Sequence, residues 1–353
     1  MLAAVFHAPN NITMQQVPVA QGHIKLKVSA CAVCGYDARV FRNGHRKVRP
    51  PVILGHELCG EIQKDTGASE GMAIEAGSRV AVCPLIPCLS CRYCQTADYN
   101  LCVNLREIGS TSDGGFAEYV TIPEHLTRIG GLVRVPDNLT NEEAALLEPL
   151  ACCLNSYSRI HPVAKESSVV IIGDGPMGLI HLQLFKRLSR SRVAIVGKIP
   201  LRMEKARAMG ADGVFAYTPE IIADILDFVG PSYDGGGGGG AGADIVVIAT
   251  SNPVAFELAT KVSARNSKIN VFAGMPSGQT FSVDANWLHY NQISITGTFS
   301  STPKILKEAA KIAAEKTIDL STIVTHRYSL SEIENAIKVT ETYSGLRAVI
   351  NKF

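Results

Sequence analysis

Three side chains of the kinds that bind transition metals lie in the first sixty residues. His56 and Glu57 are adjacent within Gly55-His-Glu-Leu-Cys-Gly60, and the thiol of Cys34 precedes them. Thiolate, imidazole and carboxylate are the ligands of catalytic zinc sites, which keep one coordination position open for a substrate. A turn with a buried, hydrogen-bonded histidine is the alternative for His56 taken alone. We predict a reactive metal at these three residues.

Four further cysteines form the most specific metal-binding pattern in the chain. Their spacing is Cys88-x2-Cys91-x2-Cys94-x7-Cys102. Four thiolates this close together complete a tetrahedral shell without ligands from elsewhere, as in closed structural zinc sites. An iron–sulfur cluster is the alternative, but the bacterial ferredoxin pattern has a short final gap and then a proline, where this chain has Val103. The pattern predicts a second, structural Zn²⁺.

A glycine-rich turn predicts a dinucleotide site in the second half of the chain. The motif Gly-Asp-Gly-Pro-Met-Gly at 173–178 lies between a continuous apolar run and an apolar helix. In this context the glycines let the backbone approach a pyrophosphate, which sits on the helix N-terminus. A turn without a ligand is the alternative. The residues expected to contact the cofactor are Gly173, Gly175, Pro176, Met177 and Gly178.

The end of the next predicted strand bears on which nicotinamide cofactor binds. Sites that prefer NAD usually carry Asp or Glu there, which holds the ribose 2′-hydroxyl. This chain has Gly197, then Lys198, with Arg202 one helical turn further on. A missing carboxylate and nearby cations suit a 2′-phosphate, so we predict NADP as the favoured cofactor. NAD is the alternative, with both cations simply solvated.

The elements around these residues predict an α/β protein with two domains of different class. In residues 1–151, short strands broken by Gly and Pro predict a compact β-rich domain. In residues 152–289, apolar strands alternate with helices, which is typical of a doubly wound parallel sheet. Residues 290–353 are predicted to return to the first domain. The glycine run Gly235–Gly240 is interpreted as a surface loop without a function.

The composition fits a two-domain protein of the cytoplasm. The chain has 353 residues, and 46% of them are hydrophobic, so each domain can bury a core. A formal net charge of +2 gives no argument for a nucleic-acid or membrane partner. The first residues lack the features of a signal peptide, and no apolar run approaches a membrane span. We therefore expect ten reduced cysteines that cluster for metal binding.

Taken together, these motifs resemble the zinc-dependent medium-chain dehydrogenase/reductase family. The resemblance rests on Cys34-Gly-x-Asp, Gly55-His-Glu-x2-Gly60, the four-cysteine lobe and the glycine motif, and it covers essentially the whole chain. Leu147-Glu-Pro-Leu150 is similar to the Glu-Pro-Leu of the polyol (sorbitol dehydrogenase-like) branch, at a place where alcohol dehydrogenases proper have a cysteine ligand. The resemblance implies a GroES-like catalytic domain, a Rossmann domain and an active site between them.

The same resemblance implies roles for individual residues. Cys34 and His56 would be zinc ligands, and Asp37 would organise the site. Glu57 and Glu148 would complete the metal shell, directly or through water. The implied reaction moves a hydride between NAD(P) and the secondary alcohol of a polyol, cyclitol or sugar derivative, phosphorylated or not. We also expect a homo-oligomer, either a dimer or a tetramer.

Two positions depart from the family pattern, and both concern the substrate proton. Many members have Ser or Thr where this chain has Tyr36, and His where it has Arg39. A phenol can relay a proton, whereas a guanidinium does not titrate usefully. We expect Tyr36 to act in catalysis and at the substrate, and Arg39 to bind substrate. Glu57 or metal-bound water would otherwise move the proton.

Arg39 also begins a basic segment, which is the feature of the sequence that bears on the charge of the substrate. Such a segment could recognise a phosphate or carboxylate, and a solvated or subunit-facing loop is the alternative. Its charged or titratable residues are Arg39, Arg42, His45, Arg46, Lys47 and Arg49.

Two other functions remain open from the sequence. A threonine-type amino-alcohol dehydrogenase would use the same metal and cofactor motifs. A non-catalytic protein that binds zinc and a nucleotide is the alternative from another class, and Tyr36 and Arg39 are the features that favour it.

Overall fold

The computed structural model describes residues 1–20, 24–64, 74–218, 220–230 and 242–353, so the predicted loop at Gly235–Gly240 lies outside the described residues. The chain divides into two units. The first unit combines Met1–Cys152 with Ser300–Phe353, and the second is Cys153–Phe299. Within the described ranges, every helix is too short or too polar to cross a membrane.

Strands and α-helices are numbered in chain order. The strands are β1 (Leu2–Ala8), β2 (Asn11–Gln16), β3 (Ile24–Ala32), β4 (Val52–Ile53), β5 (Glu57–Ile62), β6 (Arg79–Val82), β7 (Leu85–Ile86), β8 (Arg106–Glu107), β9 (Tyr119–Ile122), β10 (Leu132–Arg134), β11 (Ser168–Ile172), β12 (Arg192–Gly197), β13 (Gly213–Ala216), β14 (Ala243–Ile248), β15 (Ser263–Val271), β16 (Ser294–Gly297), β17 (Val324–Ser329) and β18 (Arg347–Lys352). The α-helices are α1 (Gly35–Asn43), α2 (Arg92–Gln95), α3 (His125–Arg128), α4 (Asn141–Ala145), α5 (Leu147–Ile160), α6 (Pro176–Leu184), α7 (Pro200–Ala208), α8 (Ile221–Val229), α9 (Val254–Val262), α10 (Ala285–Tyr290), α11 (Pro303–Ala314) and α12 (Ile333–Glu341).

The first unit is built on a mixed, mostly antiparallel sheet. Its strand order is β10-β6-β5-β3-β18-β17, and β9 also pairs with β3. Side chains from this sheet and from neighbouring segments, among them Phe6, Leu26, Leu58 and Phe116, form a continuous apolar core. Strand β3, which ends two residues before Cys34, pairs with β18 on one side and with β5, which begins at Glu57, on the other. The predicted β-rich domain is confirmed.

The second unit is a parallel sheet in the order β13-β12-β11-β14-β15-β16. The central strand β11 is buried from Val169 to Ile172, as its uninterrupted apolar sequence predicts. The chain goes from β11 first to β12 and β13 on one side and later to β14, β15 and β16 on the other. This reversal at the end of β11 confirms the doubly wound fold and marks the edge where such sheets bind ligands.

The second unit extends further along the chain than the sequence boundary at 289/290. Strand β16 pairs in parallel with β15, with Ile269 opposite Ile295 and Asn270 opposite Thr296. Because these backbone hydrogen bonds make β16 an edge strand of the parallel sheet, residues 290–299 belong to the second unit. At the other end, the division at Cys152 falls inside helix α5.

His181 on α6 is a buried titratable group within the second unit. Its side chain has no exposed surface, its Nδ1 donates to the Met177 carbonyl at 2.8 Å, and its ring packs edge-on to Phe272 at 4.7 Å. Burial lowers the pKa of His181 to about 4, and the hydrogen bond to Met177 opposes this shift only in part. The folded protein therefore holds this imidazole neutral at mildly acidic pH.

We expect His181 to make the second unit acid-sensitive. In the unfolded chain a histidine titrates near 6.5. Between that value and about 4 the unfolded state binds a proton that the folded state refuses, so the unfolding free energy falls by up to about 3 kcal/mol as the pH is lowered. In His181→Gln, the unfolding free energy obtained from denaturation curves should depend less steeply on pH across this window. The exposed His289, changed to Gln, is the matched control. Equal slopes for His181→Gln and the parent would contradict the prediction.

Candidate metal centres and cofactor site

The structure brings the three predicted metal-binding side chains of the first unit together. Cys34 Sγ, a ring nitrogen of His56 and a carboxylate oxygen of Glu57 all lie within 4.8 Å of one another. Cys34 is the N-cap of α1, just beyond β3, and Glu57 opens β5. In the antiparallel register Ala32 lies opposite Glu57. The pairing of two neighbouring strands therefore brings the thiol and the carboxylate to the same place.

The turn that presents His56 requires a glycine. Gly55 has φ +94°, a conformation that side chains rarely adopt. A Cβ atom there would also lie 2.8 Å from Cys31 Sγ and 2.8 Å from a ring carbon of Phe116. Gly55 thus lets the backbone turn against the core while His56 faces the other two ligand candidates.

Asp37 orients both the thiol segment and the imidazole. Its side chain is fully buried, its Oδ2 accepts from the backbone N–H of Cys34 at 2.8 Å, and its Oδ1 lies 3.4 Å from His56 Nδ1. Burial lowers the pKa of His56, but the nearby Asp37 carboxylate and Cys34 raise it well above its usual value. Because Nδ1 faces Asp37, Nε2 is the nitrogen left for a metal.

Arg347, from the last strand of the chain, completes this cluster. Its Nη2 lies 2.6 Å from Glu57 Oε1, its Nη1 donates to the Val33 carbonyl at 3.3 Å, and both charged side chains are buried. The other oxygen, Glu57 Oε2, is buried without a hydrogen-bond partner among the described residues. An oriented, unsatisfied carboxylate oxygen beside a thiol and an imidazole fits a bound cation. The sequence contained a signal for Arg347, an arginine inside an otherwise apolar strand, which we did not interpret.

The four remaining metal-binding cysteines form a separate cluster. All four sulfurs lie within 4.8 Å of one another, with Cys88 and Cys94 at 4.0 Å and Cys91 and Cys94 at 3.5 Å. Zinc–sulfur bonds of about 2.3 Å in a tetrahedron give sulfur separations of about 3.8 Å. The hydroxyl of Ser90 and backbone N–H groups lower the pKa of Cys88 to about 5. Cys102 contributes the fourth sulfur, so the donor set fits a closed zinc site.

In the second unit, the three glycines of the turn after β11 serve different purposes. A Cβ on Gly173 would lie 2.8 Å from the Ala249 carbonyl oxygen, and one on Gly178 would collide with the Gly173 carbonyl. A Cβ on Gly175 would meet only the Arg202 guanidinium, at 3.9 Å. Gly173 and Gly178 therefore allow close packing inside the protein, whereas Gly175 leaves its outer side open for a ligand.

Helix α6 begins directly after this turn. Pro176 is at its first position and Met177 follows, so the predicted contact residues form the helix N-terminus. The first N–H groups of a helix lack intrahelical partners and bind anions such as pyrophosphate. The turn and the helix start together fit a dinucleotide.

Comparison with known proteins identifies the family. The profile of the alcohol dehydrogenase GroES-like domain matches residues 20–137, and that of the zinc-binding dehydrogenase matches residues 176–315. Sorbitol dehydrogenase of Bacillus subtilis (strain 168) is 28% identical over 348 residues, which is 96% of this chain and 93% of that protein. The chain belongs to the zinc-dependent medium-chain dehydrogenase/reductase family. The predicted family and enzyme class, a zinc-type alcohol or polyol dehydrogenase, are confirmed.

Two further relatives agree with this assignment. D-arabitol-phosphate dehydrogenase of Enterococcus avium is 28% identical over 322 residues, 90% of this chain and 87% of that protein. The solved structure of a zinc-binding dehydrogenase from Sinorhizobium meliloti 1021, bound to NADP, has a TM-score of 0.86 and 26% identity, and covers 99% of this chain and 98% of that one. That relative thus binds a nicotinamide cofactor in its crystal structure.

Glu148, the residue of the polyol-branch motif, lies outside the three-residue cluster. It stands in the first turn of α5, and its Oε1 accepts from Cys152 Sγ at 3.2 Å. Burial raises the pKa of Glu148 to about 6, while the nearby charge of His56 acts in the opposite direction. The dehydrogenase thus has one carboxylate inside the cluster and a second that is easily protonated.

Tyr36 lies beside the cluster, where many family members have Ser or Thr. Its hydroxyl lies 2.7 Å from Ser110 Oγ and 3.3 Å from His45 Nδ1, and its ring meets His56 edge-on at 5.7 Å. Burial raises the pKa of Tyr36, so it is a neutral phenol at ordinary pH. His45 is exposed. The phenol therefore connects the ligand cluster with a titratable ring at the surface.

The basic segment of α1 and the loop after it faces solvent. Two of its cations form ion pairs on the surface, since Arg42 Nε lies 2.7 Å from Glu341 Oε1 and Lys47 Nζ lies 3.7 Å from Glu107 Oε2. The exposed members are Arg39, Arg42, His45, Arg46, Lys47 and Arg49. The surface of this segment could attract an anion.

The two predicted NADP-binding cations of the second unit have different surroundings. Lys198 is exposed, with its ammonium 4.7 Å from the centre of the Tyr217 ring. Arg202 is buried, and its guanidinium lies next to Gly175 in the glycine turn. Asp174, to which we assigned no role from the sequence, places its carboxylate against Gly197. The end of β12, where the sequence predicted no carboxylate, therefore has the carboxylate of Asp174 beside it, supplied by the glycine turn.

Proposed function

We propose that the protein oxidises the secondary alcohol of a polyol, cyclitol or sugar derivative, or reduces the matching ketone, at a zinc site formed by Cys34, His56 and Glu57. The observation that carries this proposal is the convergence of the three donors, with one buried oxygen of Glu57 left unsatisfied. The names of the sorbitol and D-arabitol-phosphate relatives support a polyol substrate, phosphorylated or not.

The surrounding residues would orient the metal ligands and the substrate proton. Zinc at this site would lower the pKa of a coordinated hydroxyl and polarise a carbonyl. Asp37 fixes the ring of His56, and Arg347 holds Glu57 and balances its charge. Glu148 would reach the metal directly or through water.

The substrate proton would leave through Tyr36. Its hydroxyl would bind the substrate oxygen and pass the proton towards the exposed His45. This route would replace the histidine that many family members have at the position of Arg39. Arg39 would instead lie at the substrate, with the basic segment providing affinity for a phosphate or carboxylate.

The cofactor contacts would come from the glycine turn and the start of α6. The preference for NADP, predicted from Gly197 and Lys198, is supported by the exposed ammonium and opposed by the carboxylate of Asp174. Arg202 would contact the pyrophosphate rather than a 2′-phosphate, because its guanidinium lies beside Gly175 in the glycine turn. The proposed contacts are Gly173, Gly175, Pro176, Met177, Gly178, Lys198 and Arg202.

A second zinc, with a structural role, would be held by Cys88, Cys91, Cys94 and Cys102. A cytoplasmic location and a homo-oligomer, dimer or tetramer, stay predictions from the sequence. Light scattering coupled to size-exclusion chromatography would measure the subunit number.

A substrate screen tests the proposed function. The zinc-saturated protein is given sorbitol, myo-inositol, arabitol, arabitol phosphate and threonine, each with NAD and with NADP, and cofactor reduction is followed. We expect turnover of at least one polyol, and faster turnover of the phosphate ester if the basic segment binds substrate. Turnover of threonine alone would favour the amino-alcohol alternative. Cofactor binding without any turnover would favour the non-catalytic one.

A further inference from the structure

Asp174, the second residue of the glycine turn, is an almost buried carboxylate with 8% of its surface exposed. Its Oδ2 accepts from the backbone N–H groups of Lys198 and Ile199, each at 2.8 Å. These N–H groups stand at the end of β12 and the start of α7, the position that faces the adenosine ribose in dinucleotide folds. The turn after β11 therefore supplies a negative charge to the end of the neighbouring strand.

The carboxylate occupies the space that a side chain at position 197 would need. A Cβ built on Gly197 would lie 2.5 Å from Asp174 Oδ2, 2.6 Å from its Cβ and 2.7 Å from its Cγ. An acidic residue at the end of β12, the usual arrangement for NAD, is therefore incompatible with Asp174. Asp174 and an acidic residue at position 197 are therefore two alternative ways to place one carboxylate at this site.

The hydrogen bonds of Asp174 also bear on a 2′-phosphate. Backbone N–H groups at a helix start are donors that a phosphate would use, and those of Lys198 and Ile199 are already taken by Oδ2. In the part of the chain that the structure describes, Oδ1 makes no hydrogen bond. A ribose hydroxyl can donate to such an oxygen, whereas a phosphate has only acceptors and a like charge.

We infer that Asp174 is the residue that discriminates between the two nicotinamide cofactors, supplying from the glycine turn the carboxylate that Gly197 lacks. It favours the ribose 2′-hydroxyl of NAD and counteracts the attraction of the Lys198 ammonium for the 2′-phosphate of NADP. The inference rests on NAD(P) binding at this turn, but not on the identity of the alcohol substrate.

Dissociation constants measured without substrate test this role. Asp174→Asn keeps an oxygen for the two N–H groups and removes only the charge. We expect the ratio of the NADPH to the NADH dissociation constant, measured by calorimetry, to fall by about tenfold or more. Asp212→Asn is the matched control, because Asp212 Oδ2 accepts from the Val193 N–H at 2.7 Å at the opposite end of β12. Its ratio should equal that of the parent protein.

A second test, which moves the carboxylate from position 174 to position 197, applies if Asp174→Asn is unstable. Gly197→Asp alone should bind both cofactors poorly, since two carboxylates then compete for one space. Gly197→Asp combined with Asp174→Gly should restore binding and a ratio within about threefold of the parent. Asp174→Asn with an unchanged ratio, or a double variant no better than Gly197→Asp, would show that Asp174 only caps the start of α7. If the parent bound neither nucleotide, the cofactor assignment itself would fall with the inference.

Discussion

We expect Cys34→Ser to lower the dehydrogenase activity by a factor of about 10³ or more and to leave the fold intact. A serine hydroxyl is a weak zinc ligand, so the site loses the thiolate that anchors the ion and with it the electrostatic help at the reacting oxygen. A thousandfold loss corresponds to about 4 kcal/mol of transition-state stabilisation. The metal content, measured by mass spectrometry, should fall by about one zinc per chain, because the structural zinc proposed for the four-cysteine lobe would be retained.

Cys59→Ser is the matched control for this variant. Cys59 lies on β5, two residues after Glu57, and its Sγ donates to the Asn141 carbonyl at 3.0 Å, a bond that a hydroxyl can also make. Its activity and zinc content should stay close to those of the parent. Full zinc content and activity in Cys34→Ser would overturn the assignment of Cys34, and equal losses in both variants would point to damage to the sheet.

We expect Arg347→Gln to destabilise the first unit by about 3 to 5 kcal/mol. The shorter side chain cannot reach Glu57, whose charge then stays buried without its partner, and this is the costly way to break a buried ion pair. Urea denaturation followed by a probe in the first unit would measure the loss. The comparison variant is Arg327→Gln on the adjacent β17, whose ion pair with Glu142 is solvent-exposed at 3.2 Å and should contribute about 0 to 1 kcal/mol.

A double variant separates the charge effect from the loss of packing. In Glu57→Leu combined with Arg347→Leu no charge is left unpaired, so most of the lost stability should return although the metal site is gone. If the double variant were less stable than Arg347→Gln, the ion pair itself, and not the uncompensated charge, would account for the stability.

Local spacing was enough to predict several parts of this dehydrogenase. The four-cysteine lobe draws its ligands from one short stretch, so the number of intervening residues limits how far apart the sulfurs can be. The glycine turn lies between β11 and α6, and all its constraints act within a few residues. The alternation of apolar strands and helices likewise predicted the parallel sheet, because burial on both faces requires continuous apolar strands.

Local spacing did not suffice for two other predictions, the domain boundary at 289/290 and the choice of cofactor. Both depend on which segments become neighbours in the folded chain. Residues 290–299 read as the start of the returning tail, yet the hydrogen bonds of β16 to β15 place them in the second unit. Gly197 indicated a missing carboxylate only as long as Asp174, more than twenty positions earlier, was not known to lie against it.

The sequence by itself determined the kinds of ligands this protein offers, a thiol, an imidazole and carboxylates for metal and a glycine turn for a dinucleotide. Only the tertiary structure decided which of them meet. The carboxylate of Glu57 contacts the guanidinium of Arg347, 290 positions later in the chain, because β5, β3 and β18 pair side by side. The physical reason is that charges and metal ligands act over a few ångströms in space, and strand pairing, which sets those distances, is not encoded in the spacing of any one segment.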